Sequence, residues 1–397
     1  MKMNRINQVL NNDQMQIINN ASRRGPFVLE ERHLAEAFAY YGKTCLPEDN
    51  CTDGSFSAFG VFKLTNSMKS YTNLSFLQQE GMETPVSVRF STMPHDEHTA
   101  ETMREPHGFD VTFLTEEGNY DFVGNNFPIS FVHDYAASAK WQNRLDIQDP
   151  VRFWEFVSNT PESINMLIHM FTDEGIPASY RTMRGATVHA FRWVNAEGKE
   201  CLAKLRWIPK QGIVNLNVEE AARVKHLDSH YATHDIYMAI ERGDFPEWDL
   251  FVQILDPEKI SMYNYDPLDP TKEWLECDFP YHKAGTMILN QNISEALVSA
   301  DELKEHDVSM QWIAGRSYIH RGNESHDDFM QAGEIYRSYR ADVQKTVINN
   351  LAHELNTVKE KREDIVADVI ELFYKADKSL GKALASRCNI CLDGRHH

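Results

Sequence analysis

In several short segments between Val86 and Leu255, apolar residues fall at every second position, and after Asp327 they fall at every third or fourth. The first period belongs to a strand with one buried face, the second to an amphipathic helix. Few strand–helix alternations occur, which argues against a parallel α/β sheet. Strands linked by hairpins, followed by a helical stretch, predict an α+β fold with an antiparallel sheet or barrel and a C-terminal helical subdomain.

The clearest alternation sets Val86, Val88 and Phe90 on one face and Ser87, Arg89 and Ser91 on the other. Phe109, Val111 and Phe113 repeat it, and Glu117-Gly118-Asn119 turns the chain into Tyr120–Val123. Later strands are predicted over Val188–Val194, Cys201–Ile208 and Trp248–Leu255, with Asn195-Ala196-Glu197-Gly198 as the hairpin joining the first two. Two helices interrupt the strands. The second is predicted to start at Thr160-Pro161, a threonine N-cap with proline in the first turn. Glu31 to Tyr41 is helical in spacing and is broken by a stretch with Pro47, Asp49, Asp53 and Gly54. Phe329 to Ala385 carries Val347, Leu351 and Leu355 at helical intervals and predicts three or four helices.

Composition narrows the partners. The 397 residues include 59 acidic and 40 basic side chains, a formal charge of −19. Such a surface repels phosphate backbones and anionic lipid, so neither nucleic acid nor membrane is expected. No apolar run is long enough to cross a bilayer, and the first residues show no apolar signal core. Six cysteines in a chain this long make no disulfide framework and fit a reducing cytoplasm. Cys388-Asn389-Ile390-Cys391, with His396 and His397 after it, reads either as a metal or redox site or as an ordinary tail.

Several ordered segments resemble the monofunctional haem catalases. They include Arg24-Gly25-Pro26, Phe59-Gly60-Val61-Phe62, Val88-Arg89-Phe90-Ser91-Thr92 and the run from Gly108-Phe109 to Val123-Gly124-Asn125-Asn126. Further along come Gly175-Ile176-Pro177, Ala239-Ile240-Glu241-Arg242-Gly243, Met287-Ile288-Leu289-Asn290 and Asp327-Asp328-Phe329. The resemblance covers nearly the whole chain. It implies a catalase-like antiparallel eight-stranded β-barrel, haem b, a homotetramer and disproportionation of hydrogen peroxide. On that frame, residues 1–57 are an N-terminal arm and first helix, and 58–292 the barrel core. Residues 293–326 are a connector from which the family's wrapping segment is largely missing, and 327–397 the helical subdomain.

Splitting a peroxide O–O bond needs a base to move a proton between the two oxygens, an amide to hold the peroxide, and a phenolate on the iron. The resemblance places the family's distal asparagine on Asn125, the serine that supports its distal histidine on Ser91, and a propionate-binding arginine on Arg89. It places the distal histidine itself on Thr52, and a second propionate-binding arginine on Asp49. A threonine hydroxyl is not basic enough for the shuttle. Between Ile293 and His326 no Arg-x-x-x-Tyr of the family's proximal kind is found. His320, four residues after Arg316, and Tyr318 are candidate replacement ligands; an ordinary connector is the alternative.

Three further features have both a chemical and a bland reading. Cys51 lines a reactive pocket or fills a small apolar site. His95-Asp96-Glu97-His98 binds metal or is a solvated loop. Asn125 holds a substrate or satisfies backbone groups at a strand end. Three functions follow as expectations: a catalase-family pseudoenzyme or subunit partner, a haem oxidoreductase with altered chemistry, or a haem-free protein holding a small molecule in the barrel cavity. Each is expected in the cytoplasm as a homo-oligomer, dimer or tetramer, or bound to a partner protein.

Overall fold

The computed structural model describes residues 55–93, 100–133, 149–292 and 327–391, and the backbone alone at Phe27–Val28 and Tyr318–Ile319. Those two pairs form a short antiparallel ladder, β1 (Phe27–Val28) with β11 (Tyr318–Ile319).

The alternating segments become strands: β2 (Ser55–Leu64), β3 (Glu83–Ser91), β4 (Gly108–Thr115) and β5 (Gly118–Phe122). After two helices come β6 (Gly185–Ala186), β7 (Phe191–Val194), β8 (Glu200–Pro209), β9 (Glu247–Leu255) and β10 (His282–Asn292). Eight of them run β5-β4-β3-β2-β10-β9-β8-β6, with β7 also on β8, and every pairing is antiparallel. The sheet curls until Asn125 bridges Gly108 of β4 and Ala186 of β6, which brings its two ends together. The inward faces meet in an aromatic core. Phe62 lies edge-on to Phe113 at 5.2 Å, Phe109 edge-on to Trp248 at 5.8 Å, and Phe90 stacks on Tyr180 at 5.1 Å. Each such ring contributes about 1.5–3 kcal/mol by burial, and about 0.5–1.5 more for a well-placed ring pair.

β7 is shorter than the predicted Val188–Val194. Thr187 explains the shortfall: its Oγ1 accepts from the Leu205 N–H at 2.9 Å, so a side chain replaces a rung of the ladder. The 195–198 connection is the expected hairpin, closed by Asn195 Oδ1, which accepts from the Glu197 and Lys199 N–H groups.

Among the described residues the helices are α1 (Pro150–Ser158), α2 (Ile164–Met170), α3 (Val218–Leu227), α4 (Tyr231–Glu241), α5 (Met330–Ser338), α6 (Ala341–Lys359), α7 (Glu363–Ala376) and α8 (Lys378–Cys388). Asp149 caps α1 through Oδ1, and Pro150 takes the first helical position. Thr160 does not cap α2. It precedes a 3-10 turn, Pro161–Ser163, makes no side-chain cap bond, and the α-helix starts at Ile164. Every residue of α2 is buried, so the helix needs cover on both sides. The C-terminal helices supply it. α1 and α2 share one apolar cluster with α5–α8, including Trp154, Leu167, Leu351 and Phe373, so the four-helix C-terminal stretch has no core of its own. No helix among the described residues is long and apolar enough to cross a membrane.

Candidate functional site

Register places the predicted residues. Arg89 of β3 lies opposite Ser57 of β2 and Asp110 of β4, and Ser91 lies opposite Ser55 and Gly108. Gly108 is bridged in turn to Asn125. Residues directly opposite share a face of the sheet. Arg89, Ser91, Asp110 and Asn125 therefore gather on one outer patch, all half-buried, while Val88, Phe90 and Phe109 point into the barrel.

Two glycines make this patch possible. A Cβ on Gly124 would lie 2.2 Å from the Ala186 carbonyl oxygen, and one on Gly108 would lie 2.2 Å from Ser91 Oγ. Gly124 thereby reaches close enough to accept the Phe109 N–H at 3.0 Å and to donate its own N–H to Asp110 Oδ1 at 3.2 Å.

Asn125 does structural work with one end of its amide. Oδ1 accepts the Phe127 N–H at 2.6 Å, and the backbone exchanges hydrogen bonds of 3.0 and 2.8 Å with Ala186. No partner for its Nδ2 is found among the described residues. Asn126 is wholly structural. It is buried, takes the His107 N–H on Oδ1 at 2.9 Å and donates to the Glu174 carbonyl at 3.3 Å.

Sequence reasoning missed Asp110. Burial pushes its carboxyl up to about 6, against partial relief from the Gly124 N–H and from Arg89. The signal was present, since strand alternation puts Asp110 on the face opposite to Phe109 and Val111. It also missed a buried network between the barrel and the helices. Arg206 of β8 donates to Glu273 at 3.1 Å, Glu273 lies 3.5 Å from His169 Nε2, and the Tyr339 hydroxyl is 3.3 Å from His169 Nδ1. Burial pushes Glu273 up, but Arg206, His169 and Arg184 outweigh it and leave the carboxyl below its ordinary value. These contacts join barrel to helices. The hollow nearby, lined by Asn126, Glu174, Arg184 and Asn215, is water-sized.

The remaining candidates divide clearly. Thr52, Cys51, Asp49, Arg316, His320, the 95–98 run, His396 and His397 lie outside the described residues, and of Tyr318 only the backbone is described. Cys388 and Cys391 are free thiols. The first is buried in the helical core, where burial raises its pKa, and the second is exposed. The interior of the curled sheet is filled by its aromatic and aliphatic side chains.

Residues 6–304 match the family model described as catalase, and residues 322–388 match that described as catalase-related immune-responsive. A catalase of Listeria seeligeri is 49% identical over 278 residues, 68% of this chain and 57% of that protein. The chain thus spans little more than half the length of such relatives. Catalase isozyme 2 of Gossypium hirsutum is 32% identical over 453 residues, covering 92% of each chain. Among solved structures, a bacterial catalase superposes with a TM-score of 0.73 at 26% identity, over 93% of this chain and 92% of the other. Catalase A of Saccharomyces cerevisiae gives the same TM-score at 22% identity, over 92% of this chain and 95% of the other, a likeness of fold.

Proposed function

The chain belongs to the catalase family, and we propose that it is a member without classical turnover of hydrogen peroxide, acting as a pseudoenzyme or as a subunit partner. Thr52 at the position of the distal histidine carries this reading, because a hydroxyl cannot take and return the proton that peroxide cleavage moves. The Asp110–Arg89 pair supports it. A haem propionate approaching Arg89 would bring a second anion beside a carboxylate already placed opposite that guanidinium. That carboxylate disfavours a propionate at Arg89.

The match to the cotton catalase supports it as well. It extends over 453 positions yet takes in 92% of this chain, about 365 residues, so the relative carries additional residues inside the matched region. That agrees with the missing Arg-x-x-x-Tyr between Ile293 and His326. A homo-oligomer and a cytoplasmic setting belong to the same reading.

The test is one absorption spectrum, taken after expression with added haem precursor, together with oxygen release from peroxide. No Soret band and no oxygen above buffer are expected. A full Soret band with rapid oxygen release would end the proposal. One observation favours a second reading, a haem oxidoreductase with altered chemistry: Arg89, Ser91 and Asn125 still share a face. In that case a Soret band appears, without rapid oxygen release, and shifts in His320→Ala or Tyr318→Phe. A haem-free binder would instead carry a copurifying small molecule.

A further inference from the structure

Three chain segments that are distant in sequence bring an imidazole and two carboxylates together beside the helical layer. His133 follows β5, Glu162 lies in the turn between α1 and α2, and Asp328 stands two residues before α5. One ligand-type atom from each lies within 4.8 Å of the others. We propose that these three side chains bind a divalent transition-metal ion, Zn2+ by preference, which ties the start of the C-terminal helices to the loops of the barrel.

The geometry suits such an ion. His133 Nε2 and Asp328 Oδ1 are 3.1 Å apart. With metal–ligand bonds of about 2.0–2.2 Å, the edge of a tetrahedral site is about 3.3–3.6 Å, so this pair needs little movement to become two ligands of one ion. The other ring nitrogen is fixed from outside the ligand set. His133 Nδ1 donates to Asp269 Oδ1 at 2.8 Å, and Asp269, 2% exposed, is held by the Thr271 N–H and hydroxyl, both at 2.8 Å. A carboxylate behind the imidazole fixes the tautomer with Nε2 as the electron-pair donor and raises its basicity, as outer partners of metal-bound histidines do. One nitrogen and two oxygens favour Zn2+ or Mn2+ over ions that take oxygen alone. On binding, the metal replaces the proton between Nε2 and Asp328, and that proton leaves to solvent.

The alternative is a plain salt bridge, a protonated imidazole between Asp269 and Asp328. Titration calorimetry of the full, chelator-treated chain with Zn2+ separates the two. One equivalent is expected, with at least a tenfold loss of affinity in His133→Gln and in Glu162→Gln, and a rise in Tm of roughly 5 °C when Zn2+ is well above Kd. Should either variant fail to fold, Co2+ on the unaltered chain decides. Weak visible bands without thiolate-to-cobalt charge transfer are expected from nitrogen and oxygen ligands. No saturable binding, binding unchanged in both variants, or a thiolate band pointing to Cys388 and Cys391 would each overturn the site. None of these results depends on whether the chain binds haem.

Discussion

The two faces of β3 and β4 obey different rules. Inward, Val88, Phe90, Phe109, Val111 and Phe113 are at most 1% exposed and touch one another. Outward, Arg89, Ser91, Asp110 and Asn125 are half-buried polar groups brought together by register, with Asp110 and Asn125 each accepting one backbone N–H. The inner face holds the fold by volume and area. The outer face gathers the polar side chains, and changing them is expected to cost the fold less. One set of strands can therefore keep a family's architecture while its site is rewritten, because the side-chain period of two keeps core and chemistry apart.

Removing a ring from the inner face should break this contrast most visibly. Trp207 is 1% exposed and lies among Phe62, Phe109 and Phe113 at centroid distances of 6.2–6.4 Å. Trp207→Ala should cost about 3–5 kcal/mol through lost burial and a cavity, read as a lowered denaturant midpoint. Arg89→Ala, on the outer face, should stay within about 1 kcal/mol of the unaltered chain. Equal losses would mean that the outer face carries the fold as well.

Asp110 sharpens the comparison through charge. Its carboxyl titrates near 6 in the folded chain because burial penalises the anion, against about 3.9 when unfolded. Between those values the folded state holds the proton more tightly. Stability from this group is therefore intact below about pH 4, falls as pH rises to 6, and stays reduced above it. Asp110→Asn should add about 1–3 kcal/mol at pH 7 and almost nothing at pH 4, measured as urea midpoints at both. The same gain at both pH values would show that packing, rather than charge, sets the cost of Asp110.

The sequence made the inner face legible because Val86, Val88 and Phe90, then Phe109, Val111 and Phe113, advertise their period without reference to any partner. The helices after Phe329 were legible for the same reason. Their union with α1 and α2 was not, because a shared core depends on which surfaces meet rather than on the pattern of any one helix. The outer patch was half legible. Resemblance pointed to Arg89, Ser91 and Asn125, but only register reveals that Asp110 stands opposite Arg89. His133, Glu162 and Asp328 could not have been grouped beforehand, since no spacing links residues brought together by three separate loops.

The smallest effect probes how tightly the outer face itself is fitted. Gly108 and Ser91 are directly opposite, and a Cβ on Gly108 would sit 2.2 Å from Ser91 Oγ but 3.5 Å from Ser91 Cβ. The obstacle is therefore one hydroxyl and not the backbone. Gly108→Ala alone should cost about 1–2 kcal/mol, and Ser91→Ala alone less than about 0.5 kcal/mol. Because the second change removes the atom that the first collides with, the pair should not add. The double variant should recover to within about 0.5 kcal/mol of the unaltered chain, a coupling of about 1 kcal/mol, from denaturant midpoints of all four proteins. Simple additivity would mean that Gly108 is required by its backbone rather than by its neighbour, and that the outer face is less tolerant of change than its half-buried polar groups imply.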